Sequence, residues 1–183
     1  MKGWTLWITG LPGSGKSTLA HALRDRLETR GIHVQVIAVD NLRKVVSPKP
    51  TYSEEERKNV YATLVHMAKL LNQNGVNTII DATGNLRVYR ERARMVLENF
   101  AIAYARCPLE VCIAREISRK ERFGAPTAIY EKGSTGRSAT VPGLNVPYEE
   151  PLDAGVIVDT NKETVAECVE RLLNFVLNSL EGK

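Results

Sequence analysis

The run Gly10, Leu11, Pro12, Gly13, Ser14, Gly15, Lys16, Ser17 and Thr18 constrains this chain more than any other feature. It fits the spacing GxxxxGK[ST], follows an apolar β-type run from Trp4 to Thr9, and opens a helical stretch that Gly31 stops. Glycines in such a bend let backbone N–H groups turn inward with no Cβ in the way. A helix beginning near Lys16 adds unpaired N–H groups and the positive end of its dipole. The result is a cradle for a triphosphate such as ATP, with Lys16 bridging the β and γ oxygens and the Ser17 hydroxyl a ligand of Mg²⁺. The plain alternative is a glycine-rich turn that merely joins strand to helix.

The rest of the chain supplies the setting that such a bend requires. Five β-type runs recur, Trp4 to Thr9, His33 to Asp40, Thr78 to Ala82, Ala101 to Cys107 and Gly155 to Asp159. Several are near-continuous apolar runs, as expected of strands covered on both faces. Helical patterns lie between them: Lys16 to Thr29, a stretch opened by Ser53 with Glu56 as a capping box, Leu86 to Glu98, and Lys162 to Leu180. This alternation predicts an α/β protein of the P-loop NTPase fold, a five-stranded parallel sheet flanked by helices. At 183 residues, 43% hydrophobic and 25% charged, the chain suits one globular domain, 1–183. The stretch Ser118 to Pro151 breaks the pattern, with four of the eight prolines and little periodicity. After a fourth strand, it reads either as a lid over phosphates or as a passive surface loop.

In open α/β sheets, ligands gather beyond the carboxyl ends of the strands. Asp40 ends the second run and begins Asp-Asn-Leu-Arg43; Asp81 lies near the end of the third. Asp40 can hold Mg²⁺ through water, accept the proton of an acceptor hydroxyl, or simply cap a helix. Asp81 can be a second-sphere Mg²⁺ group or a turn residue. Arg87, Arg90 and Arg94, at i, i+3 and i+7, form either an anion-binding stripe or a solvated basic face. Arg115, Arg119 and Arg122 enter the candidate lid, where a cation reaching the transferring phosphoryl would accelerate transfer.

Bulk properties exclude little. A net charge of +4 suits an enzyme with polyanionic ligands and gives no sign of nucleic-acid binding. Cys107, Cys112 and Cys168 lack metal-ligand spacing and read as small buried hydrophobes. With no apolar run near 18 residues and no signal-like leader before the first strand, a soluble cytoplasmic protein away from membranes is the expectation.

Taken together, the cradle, Val39-Asp40-Asn41-Leu42-Arg43, Cys107-Pro-Leu-Glu-Val-Cys112-Ile-Ala-Arg115, Ile129-Tyr130-Glu-Lys132 and Pro142-Gly143-Leu-Asn-Val-Pro147-Tyr148-Glu149 resemble adenylylsulfate (APS) kinases over most of the chain. The resemblance implies an ATP- and Mg²⁺-dependent kinase that phosphorylates the ribose 3′-hydroxyl of APS to give PAPS, and suggests a homodimer. It assigns Asp40 and Arg43 to the APS and Mg²⁺ site, Arg57 to the substrate, and Arg115 to the nucleotide. Lys16 and Asp40 are then the candidate catalytic pair. Three segments depart from the family pattern. A FISP stretch reads Ala82-Thr83-Gly84-Asn85, so no serine is present to carry a phosphate and transfer is direct and in line. A KGFTG stretch reads Ala139-Thr140-Val141-Pro142-Gly143, without its lysine and its adenine-stacking ring. An Asn and paired Arg fall on Val60, Ala62 and Thr63. A kinase of another nucleotide or small alcohol, and a nucleotide-hydrolysing switch, stay open beside APS kinase.

Overall fold

In a computed structural model, which describes residues 2–119 and 123–181, the five β-type runs form one parallel sheet. The strands are β1 (Thr5–Thr9), β2 (Val34–Ala38), β3 (Asn77–Asp81), β4 (Phe100–Arg106) and β5 (Val156–Asp159), in the order β2-β3-β1-β4-β5. The helices among the described residues are α1 (Lys16–Glu28), α2 (Val39–Val46), α3 (Glu54–Gln73), α4 (Arg87–Val96), α5 (Leu109–Ser118), α6 (Ile129–Ser134) and α7 (Val165–Ser179).

Alternation along β1 explains why both faces are covered. Leu6 and Ile8 point into a core with Leu19, Leu23, Leu172 and Leu173 of α1 and α7. Trp7, one residue out of phase, points into the opposite core with Tyr61, Leu64, Ile80 and Tyr89. Trp7 is fully buried, and its indole N–H donates to the Ala82 carbonyl at 2.8 Å, so its polar edge is satisfied. The five strands, their parallel sense and the flanking helices match the expected P-loop NTPase architecture.

The sheet also fixes where chemistry can occur. The chain runs from β1 out to β2 and β3 on one side, then crosses to β4 and β5 on the other. The strand order therefore reverses at β1, and the loop leaving its carboxyl end opens into that crevice. Register places Ile8 beside Asp81 and Thr9 beside Tyr104.

Several local expectations changed on folding. Strand β2 ends at Ala38, and Val39–Asp40 already belong to the first turn of α2, so Asp40 is a helix-start residue rather than a strand end. The apolar character of Val39 comes from packing on Val60 and Ile37, which a β-type run imitates. At α3 half of the capping box forms: the Ser53 hydroxyl accepts from the Glu56 N–H at 3.2 Å. The Glu56 carboxylate does not return to Ser53. It accepts instead from the Thr51 hydroxyl, the Thr51 and Tyr52 N–H groups, and Arg43. The stretch after Ser118 contains α6, and the Tyr130 hydroxyl donates to the Pro12 carbonyl at 2.7 Å. All three cysteines are buried. No helix among the described residues is long and apolar enough to cross a membrane.

Candidate active site

The loop between β1 and α1 is held open by backbone geometry. Gly13 has φ +82°, and a Cβ there would stand 2.4 Å from the Cys112 carbonyl, so α5 is packed against a position that only glycine allows. Lys16 sits inside this loop, 8% exposed, and its ammonium donates to the Leu11 carbonyl at 2.8 Å. Burial lowers its pKa, while the carboxylates of Asp81 and Asp40 pull it back up. The Ser14 carbonyl accepts from the Thr160 hydroxyl at 3.0 Å, whereas the Ser14 Oγ is enclosed with no hydrogen-bond partner among the described residues. Gly10, Leu11 and Ser14 shape the loop. Pro12 and Gly13 line the larger of two cavities, and Gly13, Gly15 and Thr18 the smaller.

The larger cavity has a volume of about 470 Å³ and opens beyond the carboxyl end of the sheet. Gly13, Lys16 and Ser17 form one wall, and Asp40, Arg43, Tyr52 and Arg57 form another, with Asp81 between them. Arg43 is 5% exposed, paired with Glu56, and lies 4.7 Å from the Tyr52 ring centroid. Arg57 lies 5.7 Å from the same centroid and donates to the Tyr52 carbonyl at 3.0 Å and the Thr140 carbonyl at 2.6 Å. Two guanidinium groups thus hold one aromatic ring at the cavity wall. Tyr52 itself has φ +56°, a conformation that a bulky residue adopts at a cost. Desolvation alone would raise the pKa of Glu56. Hydrogen bonds from Thr51 and Tyr52, with the Arg43 charge, outweigh it and bring the value to about 2. Glu56 therefore stays ionised and keeps Arg43 in place.

Asp40 carries the opposite perturbation. Burial raises its pKa, the Asp81 charge raises it further, and Lys16, Arg43 and Arg119 only partly compensate. Its folded-state pKa lies above its ordinary 3.8, so the native state binds the proton more tightly than the unfolded chain. Stability then falls as pH rises from about 4 through the folded-state value. Asp40→Asn is accordingly expected to raise the melting temperature of the nucleotide-free protein at pH 7. The gain should shrink as the pH approaches 4. Thermal unfolding of both proteins across this range checks the sign, and a lower melting temperature at pH 7 contradicts it.

The smaller cavity, about 290 Å³, runs along Gly15, Lys16, Ser17 and Thr18 to Arg115, Arg119 and Phe123. Arg115 is fixed there by the Thr160 carbonyl at 2.7 Å and the Thr160 hydroxyl at 3.2 Å. Arg122, the third arginine of the candidate lid, lies outside the described residues.

The arginine stripe on α4 divides: Arg90 is buried, Arg87 is half-buried and Arg94 is exposed, and all three pair with protein groups. Arg90 is 1% exposed, donates to the carbonyls of Gly84 and Glu149, and lies 5.9 Å from the Tyr148 ring centroid. Arg87 faces the Glu149 carboxylate at 3.7 Å, and Arg94 pairs with Asp153. The stripe clamps the segment that returns to β5. Tyr52 and Thr160 are site residues that sequence reasoning missed. Tyr52 lies in an aperiodic stretch, and Thr160 follows a strand with no motif around it. Their positions depend on partners distant in sequence.

A family model described as adenylylsulphate kinase matches residues 2–159. A probable adenylyl-sulfate kinase of Archaeoglobus fulgidus is 39% identical over 159 residues, covering 87% of this chain and 97% of its own. A probable adenylyl-sulfate kinase of Halalkalibacterium halodurans is 36% identical over 185 residues, covering 100% of this chain and 87% of its own. Among solved structures, the Mycobacterium tuberculosis APS kinase CysC, in complex with AMPPNP and APS, superposes with a TM-score of 0.85. It is 26% identical and covers 96% of this chain and 98% of its own. Sequence and fold agree along nearly the whole length, and the chain belongs to the adenylylsulphate kinase family of phosphotransferases.

Proposed function

We propose that this chain transfers the γ-phosphoryl group of ATP to the 3′-hydroxyl of APS, giving PAPS and ADP. The observation that carries the reading is the larger cavity. Its one wall is a phosphate cradle with a buried lysine, and the facing wall offers a carboxylate, two arginines and an aromatic ring. Lys16 neutralises the phosphate oxygens, Asp40 receives the acceptor proton, and Arg43, Arg57 and Tyr52 orient an anionic nucleotide acceptor. Arg115 flanks the donor nucleotide.

A divalent cation fits the residues present. The Ser17 hydroxyl and Asp40 are its candidate ligands, Asp81 stands by, and the mutual repulsion of the two carboxylates is what a cation relieves. Bound Mg²⁺ would supply charge neutralisation on the β and γ oxygens. Segment 118–151 serves as a lid over the site and excludes water that would otherwise consume ATP. The reading also includes a single catalytic domain working in the cytoplasm as a homodimer.

The test is ADP release with Mg-ATP and a panel of acceptors, APS first, with product mass measured. ADP formed at the same rate without APS would sink the assignment. A kinase acting on another acceptor is the second reading, because Val141 stands where the family has a stacking ring. In a switch protein, hydrolysis would proceed without any acceptor.

Tyr52, one of two tyrosines lining the larger cavity with Tyr61, is the ring we assign to stack on a base, an interaction of about 1–3 kcal/mol. Tyr52→Leu is expected to raise the KM for APS by about tenfold or more, with a smaller change in kcat. Steady-state kinetics at saturating Mg-ATP reads this directly, and an unchanged KM would remove Tyr52 from the acceptor site.

A further inference from the structure

Four residues line both cavities: Gly13, Lys16 and Ser17 of the cradle, and Arg119. A residue shared by donor and acceptor compartments stands at the place where a group passes from one to the other. Three of the four are accounted for by phosphate binding. Arg119 is not.

Its position follows from the end of α5. The helix stops at Ser118, and Arg119 turns to extended backbone, φ −65° and ψ 120°. The Nε and one terminal nitrogen of its guanidinium are shielded from solvent and have no hydrogen-bond partner among the described residues. Leaving such donors unmade is costly, and more so for a charged group. Most other cations around the cavities already hold a protein partner, although Lys132 also lines the larger cavity and the Arg43 Nε is likewise enclosed without one among the described residues; neither of these residues reaches the smaller cavity. Arg43 is held by Glu56, Arg57 by the carbonyls of Tyr52 and Thr140, and Arg115 by Thr160. Lys16 is held by the Leu11 carbonyl.

We propose that Arg119 is a catalytic residue whose free guanidinium N–H groups stabilise the phosphoryl group while it moves between the two cavities. The inference rests on the kinase reading above. In the transfer, the bond from Pγ to the β,γ-bridging oxygen breaks and a bond from Pγ to the acceptor oxygen forms. The electron pair leaves with ADP, and the acceptor proton passes to Asp40 and then to water. Charge builds on the bridging and equatorial oxygens, which is where a planar, always-protonated fork is most effective.

The experiment compares the unaltered protein with Arg119→Ala and Arg119→Lys, using Mg-ATP and APS. Arg119→Ala should lower kcat by about 10³-fold, with both KM values within threefold and the melting temperature unchanged. Arg119→Lys, which keeps the charge without the fork, should recover only part of that loss. Added guanidinium ion should restore part of the Arg119→Ala activity. In binding measurements Arg119→Ala should retain affinity for ADP and lose the gain that aluminium fluoride, a mimic of the moving phosphoryl group, adds to the unaltered protein. A kcat within threefold of the unaltered protein would overturn the proposal. So would a loss confined to KM, which marks a binding residue, or a loss that follows the melting temperature. The unaltered protein separates the two hypotheses: if it gives no APS-dependent ADP, the kinase reading fails first, whatever Arg119 does.

Discussion

Lys16→Ala is expected to lower kcat by about 10³-fold or more while leaving the protein folded. The lysine is the buried cation inside the cradle, and an interaction made in a dry, pre-arranged site is worth far more than the same pair in water. Its burial is itself unfavourable, as the lowered pKa records, so removing the ammonium relieves desolvation and costs the fold little. The comparison with Asp40→Asn distinguishes two roles. The transition state of phosphoryl transfer is loose, so a proton acceptor contributes less than a charge on the moving group. Should Asp40 serve only as the proton acceptor, its loss will be much the smaller. Equal losses instead mark Asp40 as an organiser of the metal. A coupled assay of ADP formation at saturating substrates gives both numbers, and undiminished turnover in Lys16→Ala removes the cradle from the mechanism.

Arg90→Ala should produce the largest loss of stability among the polar residues described here, about 3 kcal/mol. The guanidinium is buried and joins two backbone carbonyls, Gly84 and Glu149, that lie on different segments. Truncation leaves both carbonyls without their donor, opens a void beside Tyr148, and frees the segment leading to β5. Arg90→Lys should recover only part of the loss, because a single ammonium cannot match the geometry of the fork. Urea titrations read the difference as a shift in midpoint at constant slope. A shift corresponding to less than about 1 kcal/mol would show that the clamp is dispensable.

What sequence reveals here follows the range of the interactions. The cradle is written in consecutive residues, because a phosphate loop needs glycine, lysine and hydroxyl at fixed spacing. The strands are legible because burial on both faces leaves apolar runs, as in Thr78 to Ala82. The short helices α2 and α5 were not legible as helices. The first begins directly at the end of β2, and the second follows Pro108 with much of its surface half-buried. The α4 arginines show the limit most clearly. Their spacing was plain, but whether such a face meets an anion, water or protein depends on Glu149 and Asp153, some sixty residues away. Glu56 likewise satisfied the spacing of a capping box, and a buried arginine thirteen positions earlier claimed its carboxylate instead.

The bond from the Tyr130 hydroxyl to the Pro12 carbonyl has a mechanical meaning. Pro12 of the cradle and Ile129 and Lys132 of α6 line the same larger cavity, so its cover is tethered to the phosphate loop through a backbone carbonyl. Any shift of the Pro12 carbonyl must carry α6 with it or break that bond, so the loop and its cover are built to rearrange as one unit.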